Sequence, residues 1–201
     1  MHKRLLTILS LLVVATVCIS GCSTTPAPAA SPAPAPAAPS SGTPIPAAAG
    51  TLTLQVDSLA TGSVLPDRYT CKGASESPGI SWDGIPEGTK SLVMILDDPD
   101  APSGTFTHWI LYNIPPQKGS LDSAQSNAKV LGNGAQQGDT TAGSRGYYPP
   151  CPPIGTTHRY IFRLYAVDME ITQPTADRES IDWALNGHTI AKTEVMTKLT
   201  R

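Results

Sequence analysis

Asp97, Asp98, Asp100 and His108 are crowded into "LDDPDAPSGTFTHWILYNIPP", residues 96–116. A carboxylate and an imidazole held side by side can bind an anion through ring N–H groups, relay a proton, or coordinate a divalent ion. Geometry decides among these, and the prolines constrain it. Pro99 and Pro102 suit neither a helix interior nor a central ladder, so the loop is stiff. The apolar runs around it, "SLVMILDD" and "HWILYNIP", read as buried strands. A stiff loop between two such strands can bring Asp98 and His108 to the same end of a sheet. Asp100, and Asp97 with it, are expected to cap the loop by bonding its own backbone.

Other chemistries have less support. Asp98-Pro99-Asp100 with His108 superficially suits a metal, but no further ligand follows at a suitable spacing, and no metal is expected. The chain has no nucleophile-elbow serine, no Cys-His pair of evident design, and no phosphate-binding glycine loop followed by lysine. Binding is therefore expected rather than catalysis, with no cofactor; a hydrolase is the minor alternative.

The elements that must position these residues are mostly strands. From Leu52 onward, short apolar runs separated by Pro and Gly give a mainly β pattern. "LTLQVDSL" alternates, and in "HRYIFRLYAVD" Tyr160, Phe162 and Leu164 alternate against Ile161, Arg163 and Tyr165. Residues 117–157 have weak periodicity and read as a long irregular excursion. "TADRESIDWALNG" predicts a helix with Thr175 or Asp177 as N-cap, Ile181, Ala184 and Leu185 on one face, and Asn186-Gly187 as its end. A second, weaker helical pattern runs through Ile190, Val195 and Leu199, and Trp183 is expected in the helix–sheet contact.

The first fifty residues do not belong to this domain. Lys3 and Arg4, the apolar run Leu5 to Val17 and the small residues before Cys22 make an export signal over 1–21. The apolar run is too short for a stable membrane span. Ile19-Ser20-Gly21-Cys22 resembles the bacterial lipobox, whose cysteine is acylated and becomes the new N-terminus. Acyl chains at ~0.8 kcal/mol per buried methylene would anchor the protein to a membrane of the cell envelope. Ser23, rather than Asp, follows Cys22, so nothing resembles an inner-membrane retention signal. Residues 22–50 then form a Pro/Ala-rich tether without charge, extended at ~3.1 Å per residue. The folded domain is expected over 51–201.

Loss of the leader removes two of the 14 basic residues and none of the 16 acids, leaving a net charge of −4. Such a domain has no electrostatic footprint for nucleic acid. Of the four cysteines, Cys18 leaves with the signal and Cys22 is the lipidation candidate. Cys71 and Cys151 remain, and in an exported protein they can form a disulfide or stand as two separate buried thiols. A bridge closing a loop of this length would stabilise by about 4 kcal/mol in the entropic treatment.

Four stretches in order, "YTCKG" with "SPGISWDGIP", "DPDAPSG", the "HW" strand start, and "GYYPPCPPIGTTHRY", resemble the phosphatidylethanolamine-binding protein family in its bacterial Raf-kinase-inhibitor-like branch. The resemblance covers about residues 52–200. It implies a large antiparallel sheet packed on a smaller one, with C-terminal helices at an edge. It also implies a small pocket for phosphate, acetate or a phospholipid head group. By motif position Asp98 lies at the floor, His108 beside it, His158 and Tyr160 on the wall, and Pro102, Pro152 and Pro153 at the rim. Asp98 would either raise its own pKa and donate, or fix the tautomer of His108 and keep it charged. Pro149 stands where the branch has a glycine, so one backbone donor is lost.

The resemblance further implies a possible homodimer. A phosphate-bearing or carboxylate ligand is the leading expectation. An inhibitor or interaction protein for a protease or other envelope component is the alternative. Trp82 and Trp109 are expected to pack, Arg145 and Arg159 to form ion pairs, and His188 to bond backbone at a helix terminus.

Overall fold

A computed structural model describes residues 50–173 and 175–201. The export signal, the lipidation candidate Cys22 and nearly all of the tether lie outside the described residues. Two antiparallel sheets make up the fold. The smaller is built from β1 (Thr53–Val56), β2 (Ile80–Asp83) and β5 (Gly119–Leu121), in the order β1-β2-β5. The larger has the order β6-β4-β3-β7-β8, from β3 (Ser91–Asp98), β4 (Phe106–Ile114), β6 (Gln136–Gln137), β7 (Thr157–Val167) and β8 (Thr189–Thr200). The excursion at 117–157 thus contributes one short strand to each sheet.

β3 is the centre of the molecule. All eight of its residues are buried, which is why its sequence is a continuous apolar run. Leu92, Met94 and Leu96 pack toward the small sheet with Leu54, Val56, Ile80 and Trp82. Val93 and Ile95 face the other way, against Ile181, Ala184 and Leu185 of α1 (Arg178–Leu185). Both faces of the strand are dry, so both alternating sets must be apolar. β7 keeps its alternation, with Tyr160, Phe162, Leu164 and Ala166 all in the inter-sheet core.

α1 begins as its sequence requires: the Asp177 carboxylate accepts from the Ser180 N–H at 2.9 Å, satisfying one of the free first-turn donors. It ends at Asn186 and Gly187, the latter with φ +80°. Two helical expectations need correction. Trp183 is 71% exposed and takes no part in the helix–sheet contact. The segment expected to form a second helix is β8, paired with β7 along its length. Its inward positions Ala191, Thr193, Val195, Thr197 and Leu199 alternate, but threonine fills two of them and hides the period from a hydrophobicity reading.

One irregularity positions the site. Leu96 pairs with Trp109, but Asp97 pairs with Thr107, so His108 is the extra residue of a bulge in β4. The bulge lets His108 share a sheet face with Trp109. Thr107 turns to the opposite face, where its hydroxyl donates to Asp97 Oδ1 at 2.8 Å.

Candidate functional site

The end of β3, the start of β4 and the start of β7 meet at one end of the large sheet, and residues 147–153 close over them. They enclose a cavity of about 260 Å³. Its polar floor is Asp98, His108 and His158; its walls are Ala101, Pro102, Phe106, Tyr148, Pro149, Cys151, Pro152 and Pro153. Six of the seven residues named by motif position line it, and Tyr160 does not.

Asp98 is 3% exposed and both its oxygens are used. Oδ1 accepts from the Asp100 N–H at 2.9 Å, and Oδ2 lies 2.7 Å from His158 Nδ1, which donates to it. The imidazole that Asp98 orients is therefore His158, not His108 as one sequence reading had it. His108 Nδ1 instead donates to the Tyr148 carbonyl at 2.8 Å, while the Tyr148 N–H donates back to the His108 carbonyl at 2.8 Å. Burial lowers the His108 pKa below its ordinary value; the Tyr148 carbonyl and the Asp98 and Asp97 charges oppose this only in part. The ring is therefore neutral near pH 7, with its proton on Nδ1 and its lone pair on Nε2.

Tyr160 lies against this floor rather than on the wall. It is fully buried, its ring meets His108 edge-on at 5.4 Å, and its hydroxyl has no hydrogen-bond partner among the described residues. Burial first, and the Asp98 charge second, push its pKa far up, so it stays protonated.

Neither neighbouring aspartate caps its own loop. Asp100 receives a two-pronged contact from Arg159, Nε at 2.9 Å and Nη2 at 2.6 Å, and also accepts the Arg159 N–H. The guanidinium holds its pKa down to about 2. This pairing straps the proline loop to β7. Asp97, fully buried, faces away from the cavity and pairs with Arg163 at 3.0 Å and Arg178 at 3.3 Å. Among the remaining residues, Arg145 pairs loosely with Asp139 at 3.8 Å, and the His188 N–H donates to the Leu185 carbonyl at the helix end at 3.2 Å while its ring bonds the Asp168 carboxylate at 2.8 Å. Trp82 and Trp109 are buried, each with its indole N–H bonded.

Cys71 and Cys151 are joined by a disulfide. It matters locally because the rim, Tyr148-Pro149-Pro150-Cys151-Pro152-Pro153, has only two N–H groups, and that of Tyr148 is spent on His108. The rim is held instead by the cross-link, by the Cys71 N–H donating to the Pro150 carbonyl at 3.1 Å, and by the Tyr147 hydroxyl donating to the Tyr69 carbonyl at 2.6 Å.

Sequence reasoning missed the aromatic walls. The Phe106 ring lies tilted against His108, centroids 4.7 Å apart, and against Tyr148 at 5.6 Å. The first was legible, since Phe106 is two residues from His108 on one strand; the second depends on a distant loop. Among the described residues no three His, Cys, Asp or Glu side chains gather to hold a metal ion.

Residues 55–200 match the family described as Phosphatidylethanolamine-binding protein. The chain belongs to that family. A UPF0098 protein of Methanothermobacter thermautotrophicus is 45% identical over 133 residues, 66% of this chain and 87% of its own length. The solved structure of CT736 from Chlamydia trachomatis, described as a candidate homologue of the same family, superposes with a TM-score of 0.68 at 35% identity. The match covers 76% of this chain and 99% of that one. LppC of Mycobacterium tuberculosis, named as a candidate lipoprotein, is 38% identical over 128 residues, 63% of this chain and 61% of its own length.

Proposed function

We propose that the cavity over His108 and His158 binds, without catalysis, a small ligand bearing one negative charge: a carboxylate, a phosphodiester or a singly charged phosphate. The observation that carries this reading is the commitment of both Nδ1 atoms, His108 to the Tyr148 carbonyl and His158 to Asp98. Each ring then offers only Nε2, which becomes a donor when the ring is protonated. Proton uptake at His108 Nε2 on binding places a positive charge on the floor, which a monoanion neutralises. The Phe106, Tyr148 and proline walls are largely apolar, and low-polarity surroundings strengthen that attraction. With Pro149 in place of an amide donor, affinity rests on the two histidines.

The protein that carries this pocket is, in the same proposal, an envelope lipoprotein held through Cys22. The lipobox-like sequence and the similarity to LppC support the anchor. Replacing Cys22 by serine is expected to move the protein from the membrane fraction to the soluble one; unchanged membrane retention would count against it. A second reading, a protein-binding module, is favoured by Ile154, 81% exposed beside the rim prolines. Titration of residues 51–201 with phosphate and phosphoethanolamine separates the two. Saturable binding that His108→Ala abolishes supports the pocket; its absence, with partner capture indifferent to His108, supports the module.

A further inference from the structure

The bulge that places His108 is held from the far side of the sheet. Asp97 and Thr107 are buried there, and neither lines the cavity. The Thr107 hydroxyl donates to Asp97 Oδ1 at 2.8 Å, the shortest of the contacts made by that carboxylate. Asp97 is itself pinned from two other elements, by Arg163 of β7 at 3.0 Å and Arg178 of α1 at 3.3 Å. It is a fixed anchor for Thr107.

The backbone of Thr107 is tied as well. Its N–H donates to Thr141 Oγ1 at 2.9 Å, and its carbonyl accepts the Thr141 N–H at 3.0 Å. The next carbonyl along β4, that of His108, accepts the Tyr148 N–H. Two successive carbonyls thus turn to the same excursion, whereas those of a regular strand alternate between its two edges. These backbone ties leave open which of the two residues faces the cavity. Moving the bulge by one residue would exchange the faces of Thr107 and His108. The slipped arrangement has chemistry in its favour, since an imidazole N–H can also donate to a carboxylate. What opposes it is the Thr107 hydroxyl, because its loss takes the nearest donor from a buried carboxylate oxygen.

We infer that Thr107, locked on Asp97 and Thr141, is a positioning residue for the cavity: it fixes the bulge and so holds the His108 ring over the floor. Only the ligand arm of its test rests on the binding role proposed above.

The full-length protein with 15N-labelled histidine, in detergent micelles, would be compared as wild type, Thr107→Val, Thr107→Ser, Thr141→Ala and Ile181→Ala. Valine keeps the shape of threonine without its hydroxyl; serine keeps the hydroxyl. Ring 15N spectra at pH 7.5 report the His108 tautomer, and titration with inorganic phosphate at pH 6 reports affinity. Wild type and Thr107→Ser should show the single Nδ1–H tautomer that the Tyr148 carbonyl selects. Thr107→Val should show a mixture of both neutral tautomers and bind phosphate at least fivefold more weakly. Thr141→Ala, at an exposed site that tolerates truncation, should change both in the same direction and decides the matter if the valine variant does not fold. Ile181→Ala, which loosens the helix side of the sheet without touching the bulge, should keep the wild-type tautomer. A wild-type tautomer and affinity in Thr107→Val or, where that variant does not fold, in Thr141→Ala would overturn the inference. So would mixed tautomers in Ile181→Ala, which would mark a general loosening. If wild type binds no phosphate, the pocket reading fails and the ring spectra alone decide the role of Thr107.

Discussion

His108 and His158 do similar work through different partners, and the difference sets their behaviour. His108 leans on a neutral carbonyl and His158 on a carboxylate. The His108 pKa is depressed, so the unfolded chain binds its proton more readily than the folded one does. Its contribution to stability is therefore complete above the unfolded value of about 6.5 and is lost as pH falls below it toward the folded value. His108→Gln should flatten the dependence of the urea midpoint on pH between 7 and 5; an unchanged slope would contradict the assignment. Ligand affinity should run the opposite way, rising by up to about tenfold per pH unit as pH falls from 7 for the proton taken up at His108. Asp98→Ala leaves His158 Nδ1 and the Asp100 N–H without their acceptor, and should cost about 3 kcal/mol in denaturant unfolding. At this scale Asp98, His108 and His158 were legible as a set from their motifs. Their pairing was not, because the β4 bulge that turns His108 toward Tyr148 leaves no mark in sequence.

Among the elements, β3 was read correctly because burial on both faces forces an unbroken apolar run. β8 was misread because Thr193 and Thr197 occupy inward positions, leaving Ile190, Val195 and Leu199 at spacings that imitate a helix turn. The helix itself was placed well, with Asp177 rather than Thr175 as its cap, yet Trp183 was expected in its contact with the sheet. At ~100° per residue it lies about 200° around the helix from the buried Ile181, and so in solvent. The two helix residues therefore separate cleanly. Ile181→Ala, at a fully buried site, should cost about 3 kcal/mol. Trp183→Ala should change stability by less than ~0.5 kcal/mol. Equal losses from both would mean that α1 packs through the opposite face.

For the whole molecule, a proline rim with few backbone donors depends on long-range ties. The Cys71–Cys151 bridge spans 80 residues of sequence and joins the rim to the segment that follows the short 3-10 turn Asp67–Tyr69. Replacing both cysteines by alanine should lower stability by about 4 kcal/mol. The same change should weaken ligand binding while leaving both sheets intact. A urea midpoint equal to wild type would show that the bridge is dispensable. The pairing was open in the sequence, which fixes the number of thiols but not their distance. The mainly β class was legible in the alternating and continuous apolar runs, whereas the packing of a large sheet on a smaller one came from the family resemblance.

The most direct test of the central claim is calorimetric titration of inorganic phosphate into residues 51–201 at pH 6, in two buffers of different ionisation enthalpy. Proton-linked monoanion binding predicts heats that differ between buffers, reporting net proton uptake, and loss of binding in His108→Ala. Binding of equal heat in both buffers, or binding that survives His108→Ala, would contradict it.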